Sequence, residues 1–223
     1  MLRDAFPAIV EALTQRVPVS LSRWGDGEWH AILGHRGQNC DGQVYTAPLR
    51  DALTGVLVDR PTYQLGLQPF ALTRLGTAIR AWLDARHLAP DWVNGDLFAE
   101  HSQSGTLAPF LAAVSERTVV FVGPPHLDEL SLFPVARSVR IPARSAFAVW
   151  RDILRNVQQA IQATSADVVL LSAGMSSNLI VHALSTSHPG VSALDCGSLW
   201  EPYVGKVTRT YHAAIVARAQ AHA

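Results

Sequence analysis

The chain has 223 residues, 48% of them hydrophobic and 16% charged, which is enough for one well-filled core and short for two. Its 18 basic residues balance its 18 acidic ones, so no global field draws it to nucleic acid or an anionic membrane. Two cysteines, Cys40 and Cys196, are too few and too far apart for a disulfide framework or a metal knuckle.

The chain opens MLRDAFPAIVEAL, with Asp4 and Glu11 inside it and no small-residue cleavage site, and no later stretch stays apolar for the roughly 20 residues of a membrane span. A cytoplasmic protein without membrane insertion is expected. Phe6, Ile9, Val10, Leu13 and Val17 recur at helical spacing after Asp4, an N-cap residue type, with Pro7 in the first turn. Residues 17–22 read as a strand.

Further strand-like runs lie at 63–67, 118–122, 138–141, 167–171 and 192–195. Helical stretches separate them, among them 73–87 and 145–163, and a last helix is expected after Pro202. In 145–163, Phe147, Trp150, Leu154, Val157 and Ile161 fall on one face, a stripe that packs on a core. Alternating strands and helices predict an α/β fold: one Rossmann-like domain over 1–223 with a largely parallel sheet flanked by helices.

The most informative stretch is SLSRWGDGEW, residues 20–29, where a strand runs into a glycine-punctuated turn and then a helix. Ligands of open α/β sheets bind at that edge. One glycine separates Asp26 from Glu28, so a turn can aim both carboxylates at one point, a typical protein contribution to Mg²⁺ or Mn²⁺. Arg23 can take a phosphate oxygen bidentately, and Gly25 and Gly27 let the backbone approach a ligand. The same acidic pair can instead cap the helix that follows.

A second element, DVVLLSAGMSSNLI from Asp167, is a buried strand, a small-residue turn and a helix start. Ser172, Gly174, Ser176 and Ser177 there can cradle a diphosphate with backbone N–H groups, or simply form a tight turn with a serine cap. A third strand end, VVFVGPPHL, sets His126 just beyond the sheet, as a base or as an ordinary surface histidine. Trp82, Trp92 and Trp200 can stack on a sugar or a base, or fill a core.

Together, SLSRWGDGEW, IPARSAFAVWRDIL and VVLLSAGMSSNLIVHAL followed by ALDCGSLWEPY resemble the GT-D glycosyltransferases. The first matches their R-aromatic-G-D-G-E element and the second their P-x-x-x-A-F shape, and the late strand–turn–helix leads to an aspartate-glycine strand end. The match spans most of the chain in the right order. The resemblance implies a divalent ion at Asp26 and Glu28, a nucleotide-sugar donor with UDP-glucose as default, Arg23 at the diphosphate, and residues 172–177 near the nucleotide. A glycan or glycoprotein acceptor is the family default, with a hydroxymethylated DNA base as the alternative. Homo-oligomerisation is left open.

One departure concerns the histidine and acidic-aromatic pair that members often carry after the final D-x-G. This chain has Ser198-Leu-Trp-Glu-Pro-Tyr, with Glu201 as the stand-in acid. Candidate general bases on the acceptor are therefore Glu201, His126 and Asp96, in that order. Two competing readings use the same parts: a metal-dependent phosphohydrolase and a non-catalytic nucleotide-binding module.

Overall fold

The computed structural model describes residues 2–221. In chain order the elements are α1 (Phe6–Thr14), β1 (Leu21–Trp24), α2 (Asp26–Ile32), α3 (Ala47–Val58), β2 (Gln64–Leu67), α4 (Pro69–Asp84), β3 (Trp92–Asn94) and α5 (Leu97–Ser104). The second half continues α6 (Ala108–Ser115), β4 (Val119–Gly123), β5 (Arg137–Arg140), α7 (Trp150–Thr164), β6 (Val168–Leu171), α8 (Ser176–Ser187), β7 (Ser192–Asp195) and α9 (Thr210–Ala221).

The strands form one sheet in the order β3-β2-β1-β7-β6-β4-β5, every described pairing parallel. The chain thus steps outward from β1 through β2 to β3, then crosses and fills the other half. Strands β4 and β6, VVFVG and VVLL, are buried throughout, as expected of parallel strands covered on both faces. One face packs α1, α5 and α6 with Trp200 over the sheet. The other packs α2, α3 and α4 over one half, with α7 and α8 over the second.

The expected α/β architecture is observed, with shifted edges. The first strand begins at Leu21 rather than 17, because Pro18 has no N–H for a ladder and the Val19 N–H goes to the Ser192 hydroxyl at 3.1 Å. Asp4 acts one residue early, its carboxylate accepting from the Phe6 N–H at 2.9 Å. The helix expected over 73–87 starts at Pro69. In the 145–163 stretch, Ser145 is left-handed (φ 54°) and a 3-10 turn over Ala146–Val149 precedes α7.

The tryptophans serve the core. Trp24 and Trp29 are fully buried and pack edge-on or tilted with Trp82 and Trp92 at 5.7–6.5 Å, clamping the β1–α2 turn. Trp200 is fully buried on the opposite face. Among the described residues no helix is long and apolar enough to cross a membrane.

Candidate active site at the sheet switch point

Strand β1 lies between β2 and β7, where the direction of strand progression reverses. A crevice opens beyond the carboxyl ends of such strands. Here it is a cavity of about 1110 Å³ that Arg23, Gly25, Asp26, Gly27 and Glu28 enter from β1 and α2. Ser172 and Gly174 line it from the end of β6, Asp96 from the end of β3, and His126 and Glu201 from the opposite wall.

The turn after β1 combines both roles open to its acidic pair. Gly25 is the extended N-cap of α2, and its N–H donates to Glu28 Oε2 at 2.8 Å in a capping box. Asp26 Oδ1 accepts from the Gly27 N–H at 3.0 Å. Both side chains still face the cavity. Burial raises the Glu28 carboxyl to about 7; Asp195 adds to the rise, while backbone N–H groups and Arg23 oppose it. Protein atoms crowd the two glycines: a Cβ at Gly25 would strike the Gln68 side chain, and one at Gly27 would lie 2.8 Å from Met175 Cε.

Arg23 is held in place before any ligand arrives. Its Nε donates to the Gly95 carbonyl at 2.6 Å and its Nη2 lies 3.3 Å from Asp96 Oδ1. Asp96 also accepts from Gln68 Nε2 at 2.7 Å, so this candidate base serves as counter-ion to Arg23. The guanidinium lies over Gly197, which is left-handed (φ 54°) and where a Cβ would collide with it. Asp195, buried at the end of β7, accepts from the Gly197 N–H at 3.0 Å. Its carboxyl is raised by burial, with Arg23 opposing.

At the end of β6, Ser172 presents a buried hydroxyl with no hydrogen-bond partner among the described residues, and Gly174 is left-handed (φ 55°). Ser176 and Ser177 do not join them. Both are buried away from the cavity, and their N–H groups are taken by the Ala173 and Gly174 carbonyls. The Ser177 hydroxyl accepts from the Ala173 N–H at 3.2 Å. Ser172 and Gly174 therefore line the cavity without the two serines of the helix start, and the Asp41 carboxylate reaches Gly174, where a Cβ would lie 2.6 Å from Asp41 Oδ2.

Opposite lies a cluster that joins two short 3-10 turns, Pro125–Leu127 and Glu201–Val204, to the start of α9. His126 Nε2 stands 3.7 Å from Glu201 Oε1, and buried His212 has Nδ1 3.8 Å from Glu201 Oε2. The Thr208 hydroxyl donates to the same carboxylate. Burial lowers the His126 pKa from its ordinary value, with Lys206 adding and Glu201 opposing.

Above the turn, residues 38–45 fold over as a loop closed by a bridge between Gln38 and Val44. The Ser145 hydroxyl donates to the Gly42 carbonyl, and Arg209 Nη2 reaches Cys40 Sγ at 2.7 Å from the C-terminal segment. The Tyr45 hydroxyl in this loop is pushed up to about 12, by burial first and then by Asp26 and Glu28.

Sequence reasoning missed Asp195, Gly197, Gln68, Arg144, Arg209 and the 38–45 loop. A signal existed for the first two, the D-C-G at the end of a strand. For the others none did, because only the packing of distant segments brings them to the cavity. Among the described residues no cluster of three or more His, Cys, Asp or Glu side chains is arranged to hold a metal. Asp26 and Glu28 offer two carboxylates, all that Mg²⁺ or Mn²⁺ takes from a protein when phosphate and water supply the rest.

Neither a family model nor a curated protein matches the sequence. Two solved structures of domain of unknown function 1792 do match the fold, at 18% identity and a TM-score of 0.62, over 87% of this chain and 77% of theirs. The fold is shared. One of the two is a selenomethionine-substituted structure of that domain, and the other is described as having a distinct glycosyltransferase fold.

Proposed function

We propose that the chain is a glycosyltransferase that moves a sugar, glucose by default, from a UDP-sugar to a hydroxyl of a glycan or glycoprotein. The observation that carries this reading is the convergence of Arg23, Asp26, Glu28 and Asp195 on one large cavity at the sheet's switch point. The fold likeness to a domain described as a glycosyltransferase fold supports it.

The donor atoms fit a hard divalent ion. Asp26 and Glu28 offer only oxygen, and a cation would offset the burial that raises Glu28 to about 7. Bound there, Mn²⁺ or Mg²⁺ would act as a Lewis acid on the leaving diphosphate. The chain's own part is positional and electrostatic. Arg23, fixed by Gly95 and Asp96, supplies preorganised positive charge beside the carboxylates. Ser172 and Gly174 line the side where the nucleotide would lie.

Transfer breaks the bond from the anomeric carbon to the diphosphate oxygen and forms one to the acceptor oxygen, whose proton must leave. Glu201 is the first candidate to take it, with His126 3.7 Å away as the second. Asp96, tied to Arg23 and Gln68, is the third.

The test is nucleoside diphosphate release from a panel of nucleotide sugars with Mn²⁺, Mg²⁺ or EDTA, which needs no acceptor. Metal-dependent release from one donor is expected. Asp26→Asn and Glu28→Gln should each lower it by about a hundredfold or more while the far-ultraviolet circular dichroism is kept. Unchanged turnover in both variants removes the metal assignment. Release of inorganic phosphate instead would make the chain a phosphohydrolase.

A further inference from the structure

We propose that Phe70 is the stacking platform of an acceptor subsite over the ends of β2 and β3, and that the acceptor is a neutral pyranoside rather than a nucleic acid. This rests on the glycosyl-transfer reading of the same cavity and specifies its acceptor end.

Phe70, in the first turn of α4, lines the cavity and is 53% exposed. Leaving an aromatic ring half in water forfeits apolar burial, and here it stands at the mouth of a polar cleft. Arg74 braces the ring, its Cζ 5.2 Å from the centroid. Across the sheet edge, α5 contributes Ala99, Glu100 and Gln103, while Gln68 and Asp96 form the floor. A pyranose has an apolar C–H face and equatorial hydroxyls in pairs. One aromatic ring facing carboxylates and amides matches both.

The distribution of charge separates this end from the other. Arg23, beneath the groove, is engaged by Asp96, and Glu100 accepts from Asn94 Nδ2 through Oε2 at 2.8 Å, leaving Oε1 as an acceptor. The polar groups on the floor and opposite wall are therefore suited to hydroxyl donors. Arg144 and Arg209 line the far part of the cavity, with Ser172 and Gly174. Asp41 also reaches Gly174, where a Cβ would lie 2.6 Å from Asp41 Oδ2. An anionic donor there would rest on these arginines and on a cation at Asp26 and Glu28, whereas a neutral sugar beside Phe70 needs neither. Asp96 is already paired with Arg23, so a DNA strand laid across Phe70 would bring its phosphates against Glu100, with Arg74 at the ring as the opposing charge.

The experiment measures binding of methyl β-glucopyranoside, methyl glucuronide and a short single-stranded oligonucleotide by saturation-transfer NMR titration, with no donor present. The neutral glycoside should bind best, with its ring-face protons most saturated. Phe70→Ala should weaken it about fivefold, Phe70→Leu should weaken it too, and Phe70→Trp should keep it. Val58→Ala, an exposed apolar residue outside the cavity, should change nothing. Wild-type affinity in both Phe70→Ala and Phe70→Leu, no glycoside binding to the wild type, or oligonucleotide binding that depends on Phe70 overturns the proposal. Nucleotide release by the wild type is read separately. Glycoside binding through Phe70 without any such release would keep the subsite and remove the transferase.

Discussion

Gly197 and Gly190 show how differently two glycines of one chain are constrained. Gly197 is left-handed and lies under the Arg23 guanidinium, whereas a Cβ at Gly190 meets nothing within 4 Å and its φ is not in the left-handed region. Gly197→Ala should therefore cost about 1–2 kcal/mol for the backbone alone. It should also push Arg23 off Gly95 and Asp96, so nucleotide release falls with it. Gly190→Ala should be neutral or stabilise by up to about 1 kcal/mol through the unfolded state. Urea unfolding of both variants checks the pair; equal midpoints would mean that Gly197 is not held left-handed.

Arg23, Asp26 and Glu28 were legible from the sequence because a strand, two glycines and two acids fall within a few residues of each other. Their bonds were only half legible. The reading that Asp26 and Glu28 cap a helix describes their hydrogen bonds, each carboxylate accepting from one local N–H, and both side chains also line the cavity, as the ligand reading requires. Ser176 and Ser177 looked alike to Ser172 and Gly174 in sequence. Their separation arises from the turn of α8, which rotates the serines into the core.

At the scale of elements, the apolar strands β4 and β6 could be read because burial on both faces demands an unbroken run. Three-residue β3 could not, since it is too short for any period, and its neighbours α5 and α6 were passed over with it. Helix α3, not singled out from the sequence, is capped by Thr46, whose hydroxyl accepts from the Leu49 N–H at 3.4 Å, with Pro48 in its first turn.

The C-terminal segment over residues 205–210 is tied to the site by His212. Its Nδ1 accepts from the Thr208 N–H at 3.2 Å, which requires a neutral ring. Burial is the main cause lowering the His212 pKa, with Arg209 adding and Glu201 opposing. A histidine lowered in the native state loses its contribution as pH falls below its ordinary value, because the open form takes the proton first. Hydrogen-exchange protection at Thr208 should drop between pH 7 and pH 5.5 more than protection in β6. Parallel loss at both sites would show that the segment is not independently anchored.

Across the whole molecule, the parallel sheet and its reversal at β1 and β7 explain why residues far apart in sequence meet. Asp26, Asp96, Ser172 and Asp195 each follow or end a strand, so one edge collects them. The alternation of strands and helices predicted that edge, but not the strand order, which depends on how β4 crosses back to the other half. The loop over 38–45 and the segment with Arg209 then close the cavity from opposite faces of the sheet through Cys40.

The most direct measurement is calorimetric titration of UDP into the wild type and into an Asp26→Asn, Glu28→Gln double variant, in Mn²⁺ and in EDTA. Binding by the wild type in Mn²⁺, lost in EDTA and lost in the double variant, is expected if the switch-point carboxylates hold an ion–diphosphate pair. UDP binding of equal strength in EDTA, or in the double variant with Mn²⁺, would contradict it.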